Sequence, residues 1–253
     1  MRERPTTDAR DEFVLAFALG SCLVFFQSQT GRFESAEASQ SGRVGCIRNQ
    51  VVRESGRSRR GDGRMKSDEI PLLTSAEIRS LLTLDECIGA VEHAFRAHGE
   101  GRAVPPAVLS MHTASGGFHV KAGLLELDRL YFAAKVNGNF PENSSRFGLP
   151  TIQGVIILCD AGNGTPLAVM DSRDITSLRS AAATAVAATF LARQDSRTIT
   201  ICGCGSQGPI QLKALSRVRR LETAFAYDRD GEQALRFSED LTSDHKDLRK
   251  ACV

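Results

Sequence analysis

Three groups of residues in this chain have the types and spacing to do chemistry. The first is Gly203-x-Gly205-x-x-Gly208, which follows the β-branched run Thr198 to Cys202 and precedes Ile210, Leu212, Leu215 and Val218 at helical spacing. Glycines there let the chain turn tightly, and they let backbone N–H groups approach a pyrophosphate whose charge sits on a helix N-terminus. A second strand-like run, Thr223 to Tyr227, ends in Asp228, 20 residues after Gly208, where an acid can accept hydrogen bonds from ribose hydroxyls. An acid at that position repels a 2′-phosphate and so favours NAD, while the adjacent Arg229 leaves NADP open. The second group is Lys135, at the end of an otherwise apolar run and beside Asn137 and Gly138, where a cation is costly unless it meets an anion. The third is Arg179, in the early turns of the alanine-rich segment Asp174 to Ala192, where a guanidinium fork and free helix N–H groups can face a carboxylate or phosphate. Taken alone, an exposed arginine in an arginine-rich chain is the simpler reading of Arg179.

The elements that must position these groups follow from patterning. Thr74-x-x-Glu77 and Thr83-x-x-Glu86 are capping boxes, so two helices start there. The second carries Leu84, Ile88, Val91 and Phe95 on one face and ends near Gly99. Pro105 and Pro106 are expected to break the chain. After them, strands are expected at Val108 to His112, Phe118 to Leu124, Leu130 to Val136, Thr151 to Cys159 and Pro166 to Met170. The last two are joined through Asn163-Gly164, which supplies the positive φ of a tight hairpin. The expected fold is an α+β domain over residues 65–173, a connecting helix over 174–195, and an α/β nucleotide-binding domain from 196 to 253. The alanines of the connecting helix would let another backbone pack very close.

Composition bounds the rest. With 253 residues, 42% hydrophobic and 25% charged, the chain has room for one large or two modest globular domains. A net charge of +2 gives no electrostatic case for nucleic acid. Seven cysteines without regular pairing read as reduced thiols of a cytoplasmic protein. Cys202-x-Cys204 lacks the gap and the second ligand pair of a zinc site, and His93 and His98 have no acid or cysteine partner at ligand spacing, so no metal is expected. Residues 1–64, rich in Arg, Ser and Gly, are expected to be disordered or to precede the true start at Met65. Their apolar island, Phe13 to Phe26, is 14 residues long, too short for a comfortable membrane span, and no membrane association is expected.

Five motifs occur in order: Lys135-Val-Asn-Gly-Asn139, Gly148-Leu-Pro-Thr151, the Asn163-Gly164 turn leading to Leu167-Ala-Val-Met-Asp171, Thr176-x-x-Arg179-Ser-Ala-Ala182, and Gly203-Cys-Gly-Ser-Gln207. In these the chain resembles the ornithine cyclodeaminase and mu-crystallin family from about Met65 onward. The resemblance implies a homodimer whose subunits pair an α+β substrate and dimerisation domain with a Rossmann domain holding NAD(P), the active site lying between them. It implies that Lys135 contacts the substrate carboxylate near the reacting carbon and that Arg179 binds both carboxylate and cofactor. Thr151 then resembles a contact to the nicotinamide half, Ser206 and Gln207 contacts to the pyrophosphate beside Gly203, Gly205 and Gly208, and Asp228 the ribose acid. The implied reaction moves a hydride between an amino-acid α-carbon and the nicotinamide through an imine, as a cyclodeaminase, a ketimine reductase or an amino-acid dehydrogenase.

Three departures from the family pattern stand out. Pro105-Pro-Ala-Val-Leu-Ser-Met-His112 lacks the arginine that family members use as a further carboxylate clamp, so Lys121 or His112 is expected to serve instead. Ser180 stands where threonine is usual. The chain stops at Val253, which this reading places one helix and one strand after the glycine turn and before the family's catalytic aspartate, so the nucleotide domain is expected to be incomplete. The alternative function is then an inactive truncated remnant that binds a ligand or dimerises.

Overall fold

Two threonines open the helical frame. The computed structural model describes residues 70–244 and 248–252, so the extension over residues 1–64, with its apolar island, lies outside the described residues. Helix α1 (Ser75–Leu81) and helix α2 (Leu84–Gly99) both begin with complete capping boxes, Thr74 with Glu77 and Thr83 with Glu86. Each box satisfies orphan backbone donors at both the cap and the third helical residue, an arrangement worth about 1 kcal/mol per cap. Helix α2 buries Leu84, Cys87, Ala90, Val91, Ala94 and Ala97. Ile88 and Phe95, expected on its inner face, lie at the rim, packed against the core without being fully buried.

The first sheet has six strands in the order β1-β6-β5-β4-β3-β2. They are β1 (Leu72–Leu73), β2 (Ala103–Thr113), β3 (Gly116–Glu126), β4 (Leu130–Asn139), β5 (Ile152–Asp160) and β6 (Pro166–Asp171). All neighbours are antiparallel except β1 and β6. Pro105 and Pro106 do not break the chain as expected, because β2 runs through them. The strand is at the sheet edge and its register shifts between Val104 and Ala107, so the missing N–H groups cost no ladder bond in the sheet interior. Between β5 and β6, Gly164 takes φ 77° and its N–H reaches the Asp160 carbonyl, so the turn spans four residues, Ala161 to Gly164.

One face of this sheet meets α1, α2 and helix α4 (Ser172–Leu191); the short helix α3 (Asn143–Phe147) lies between β4 and β5. Tyr131, Ala133, Ile156, Leu158 and Met170 pack from the strands against Ile78, Val91, Ile175, Ala182 and Val186 from the helices. Each large side chain removed from water there contributes about 1.5–3 kcal/mol.

The second sheet is parallel, in the order β7-β8-β9, with β7 (Thr198–Cys202), β8 (Thr223–Tyr227) and β9 (Arg249–Cys252). Helix α5 (Gln207–Val218) crosses from β7 to β8 and helix α6 (Gly231–Asp244) from β8 to β9. Two helices and two strands therefore follow the glycine turn, rather than one of each as expected. Asp230 accepts hydrogen bonds from the N–H groups of Glu232 and Gln233, which opens α6, and Ala234 and Phe237 join Ile201, Leu212, Ala224 and Ala226 in its core. An α+β unit is thus followed by parallel α/β structure of the Rossmann type. Helix α4 joins the two. Ala181 and Ala185 pack against Ala214 of α5, all three fully buried, and the absence of larger side chains lets the helices approach closely. The Arg219 guanidinium, just past α5, donates to the carbonyls of Ala188, Thr189 and Ala192 and so satisfies the open end of α4. No helix among the described residues is long and apolar enough to cross a membrane.

Candidate active site

Strand alternation and register assemble the site. On β3, His119 and Lys121 point to the helix-covered face, and their cross-strand partners on β4 are Asn137 and Lys135. On β2, Ser110 stands opposite His119, and its hydroxyl lies 3.0 Å from the His119 Nδ1. The same face of β4 carries Tyr131 and Ala133 into the apolar core before it reaches Lys135 and Asn137, so the polar row begins where the core ends. Gly154 of β5 makes room for that row, because a Cβ there would collide with the Val136 carbonyl and with Asn137.

Helix α4 closes the site from above. Asp171 caps its N-terminus by accepting from the Arg173 N–H at 2.8 Å. The buried Ser172 hydroxyl donates to Asn137 Oδ1 at 2.8 Å, leaving the amide hydrogens of Asn137 for a ligand. Two turns into α4, Thr176 and Arg179 face the sheet cations. Ser110, His119, Lys121, Lys135, Asn137, Asn139, Ile152, Thr176 and Arg179 enclose a cavity of about 440 Å³.

The electrostatics of that cavity are those of an anion site. Lys135 is 6% exposed and Arg179 8%. Burial, then Arg179 and then Lys121 hold the Lys135 ammonium down to about 7. Burial brings Arg179 down to about 10, and burial together with Arg179 lowers Lys121. None of the ion pairs among the described residues includes any of the three, and no carboxylate lines the cavity. Arg179 Nε and Thr176 Oγ1 are buried without a hydrogen-bond partner. Buried donors in that condition cost roughly 1–3 kcal/mol each, more when charged, unless a ligand meets them.

The glycine turn lies on the other side of the same stretch of α4. Gly203 takes φ 96°, a conformation side chains avoid, and Gly205 has open space where a Cβ would stand. Gly208 is buried, and a Cβ on it would come within 3.1 Å of the Gly203 carbonyl and of Phe237, so this third glycine serves helix–strand packing. Ser206 and Gln207 are exposed at the start of α5, whose first turn has neither an acidic residue nor a side-chain cap. This leaves a donor-rich helix end of the kind that suits a phosphate. Gln207 Nε2 donates to the Ser177 hydroxyl at 3.1 Å, one residue from Thr176 and two from Arg179. Ser177 and Ser206 share a second cavity of about 720 Å³ with Lys213 and Arg217.

Two of the expected cofactor contacts also make hydrogen bonds within the chain. Asp228 stands at the end of β8, but its carboxylate braces the glycine turn, accepting from the N–H groups of Cys204 at 2.7 Å and Asp230 at 3.0 Å. The Asp230 and Cys204 N–H groups hold it below its usual value. Thr151 lies just before β5, its carbonyl accepting from the Phe140 N–H, and the neighbouring Ile152 lines the cavity. His112 is one row beyond the cavity, opposite Gly117, with its ring edge-on to His119 at 5.7 Å. Lys121 and His119 therefore occupy the place for which Lys121 or His112 was expected. Ser110, His119, Asn137 and Thr176 were missed. The two-residue spacing of His119 and Lys121, and of Lys135 and Asn137, is the signal that could have found three of them once the strands were paired.

The site thus sets buried cations beside a glycine turn at a helix N-terminus, within an α+β unit followed by Rossmann-type structure. The chain belongs to the ornithine cyclodeaminase/mu-crystallin family, whose model matches residues 69–252. It is 37% identical over 169 residues to an alanine dehydrogenase of Archaeoglobus fulgidus, covering 67% of this chain and 51% of that protein. Among solved structures it is similar to an archaeal alanine dehydrogenase dimer with bound NAD, with a TM-score of 0.68, 34% identity, and 73% of this chain and 56% of that one covered. It is similar also to the Thermococcus litoralis Delta(1)-pyrroline-2-carboxylate reductase in complex with NADH and L-proline, with a TM-score of 0.66, 32% identity, and coverage of 73% and 57%. The chain spans about half the length of the curated relatives it matches.

Proposed function

We propose that this chain serves an NAD(P)-dependent enzyme that acts on a small amino or imino acid by hydride transfer at the α-carbon. The observation that carries this reading is the pair Lys135 and Arg179, buried without a carboxylate partner and joined through α4 to a glycine turn that one hydrogen bond, Gln207 to Ser177, holds against it. Gly203, Gly205, Ser206 and Gln207 would hold the pyrophosphate, Asp228 the ribose, and Thr151 and Arg179 the nicotinamide end. When bound, the nicotinamide supplies the hydride acceptor or donor. Lys135 and Arg179 neutralise the substrate carboxylate and fix it, and the Asn137 amide, itself held by Ser172, orients the reacting end. Burial and its neighbouring cations bring Lys135 down to about 7 in the ligand-free site, and a bound carboxylate holds the proton on Nζ, so the lysine meets the substrate as the ammonium. An assay of nicotinamide reduction with a panel of L-amino acids, and of its reverse with keto acids and ammonia, tests the reading. Turnover that Lys135→Met abolishes while NADH binding persists supports it, and turnover retained in that variant removes the lysine from the mechanism.

A homodimer belongs to the same proposal. The outer face of the six-stranded sheet carries apolar cross-strand rows where an isolated antiparallel sheet would present polar residues. One row is Leu109, Val120, Val136 and Val155, and Met111 and Phe118 begin the next. Leu109, Met111, Phe118 and Val155 are between 41% and 56% exposed, as is usual for a surface that another protein layer covers.

A further inference from the structure

We infer that Thr176 is a substrate contact, its hydroxyl meeting the α-nitrogen of the amino or imino acid while the cations hold the carboxylate. This rests on the amino-acid reading given above and adds a residue to it.

Helix α4 itself sets Thr176 apart. The helix's other hydroxyl side chains are all engaged: Ser172 donates to Asn137, Ser177 accepts from Gln207, and Ser180, Thr184 and Thr189 each donate to the carbonyl four residues before. That last bond is the usual local partner of a hydroxyl within a helix. Thr176 does not make it. Its Oγ1 is withdrawn from water and meets no group among the described residues, while the side chain lines the cavity. A buried hydroxyl of this kind calls for a partner, and the cavity is where a ligand can supply one.

The position of Thr176 selects the atom it meets. Ser172, Thr176 and Arg179 follow one another at helical spacing and so share one face of α4. At one end of that row Ser172 meets Asn137, and at the other Arg179 is close enough to Lys135 to weaken its hold on a proton. Lys135 and Asn137 are alternate residues of β4 and lie on one face of it. Thr176 therefore stands between the cation end, where Lys121, Lys135 and Arg179 take the carboxylate, and the Asn137 amide. In an amino or imino acid the atoms next to the carboxylate are the α-carbon and, on it, the nitrogen.

The chemistry of that nitrogen suits a hydroxyl. Loss of hydride from the α-carbon turns a neutral amine, which has a lone pair and N–H bonds, into an iminium, which keeps N–H bonds and has no lone pair. The Thr176 oxygen can accept from an N–H in both states, and its own proton can turn to the lone pair in the first. A lysine or arginine in its place could only donate.

Calorimetric titration of the NADH-loaded full chain tests this with L-alanine and L-proline, each set against the acid that lacks the nitrogen, propionate and cyclopentanecarboxylate. Thr176→Val is expected to weaken an amino acid roughly five-fold more than its nitrogen-free counterpart, as the loss of one hydrogen bond would. Thr176→Ala, which removes the same hydroxyl, is expected to show the same split, and Thr176→Ser to restore the wild-type preference. NADH affinity and melting temperature are expected to be unchanged. Equal weakening of both acids would place the hydroxyl on the carboxylate, and a loss confined to NADH affinity would place it on the nicotinamide; either result, or no effect at all, would overturn the inference. If in that case Lys135→Met abolishes binding of the probes, the amino-acid reading stands and only the role of Thr176 falls. Absence of binding by all four probes to the wild type would remove both.

Discussion

Lys121 and Lys135 face each other across β3 and β4, two ammonium groups at one register position with Arg179 of α4 close enough to lower the affinity of both for protons. A fold keeps such a group of unpaired cations at a cost to its own stability. That cost gives the site a measurable signature without any ligand.

The signature is a pH dependence of stability. In the folded chain Lys135 titrates at about 7 against an ordinary value of 10.5, so between these values the unfolded chain binds more protons than the folded one. Stability therefore rises with pH across that window and carries its full penalty below it. The melting temperature of the ligand-free protein is expected to rise from pH 7 toward pH 10. Lys135→Met is expected to flatten that rise and to raise the melting temperature at pH 7. A bound carboxylate acts in the opposite sense, holding the proton on Lys135, so its affinity is expected to fall as pH rises above 7.

Gly154 is required by the site's geometry. A methyl group at this position would run into the Val136 carbonyl and Asn137, neither of which can move without breaking the β4–β5 ladder. Gly154→Ala is expected to cost about 3 kcal/mol in chemical denaturation. A cost within about 0.5 kcal/mol would mean that the strands do not pair in this register.

Arg219 ties the nucleotide side to the cation side. Its guanidinium serves three carbonyls at the end of α4, so Arg219→Ala leaves those acceptors open and α4 less firmly held against α5. A loss of about 1–3 kcal/mol is expected from hydrogen bonds made by a charged donor. Arg219→Lys, a point charge without the fork, is expected to recover only part of it.

Much of this was legible before any coordinates. The capping boxes at Thr74 and Thr83, the alternation of the five long strands, the close-packing alanines and the glycine turn are local signals, and each led to the element found. What stayed hidden depends on pairing between distant segments. His119 looks unremarkable until β2 places Ser110 beside it and β4 places Asn137 opposite. Pro105 and Pro106 signal a break until the strand that holds them proves to be at the edge. Spacing places Asp228 at the end of β8, but it does not show that the carboxylate also reaches the Cys204 N–H and braces the glycine turn. Helix α6 went unread because its first turn is polar and, among the residues whose side chains are described, Ala234 and Phe237 are the buried ones on its inner face.

The dimer proposal is checked on the outer sheet face. Val155→Glu and Leu109→Glu place a charge in the middle of the apolar rows while leaving the helix-covered core untouched. Light scattering after gel filtration is expected to show a dimer for the wild type and a monomer for either variant. A monomeric wild type would rule out this face as a self-association surface.

The union of a nucleotide turn with the cation cavity is tested most directly by titrating NADH fluorescence into wild-type protein and into Gly205→Val. Gly205 has no neighbour where a side chain would grow and no left-handed backbone to strain, so the variant is expected to fold with an unchanged melting temperature. Saturable micromolar binding by the wild type and its loss in Gly205→Val is the expected result. No binding by the folded wild type, or equal binding by both proteins, would contradict the placement of a dinucleotide at this turn.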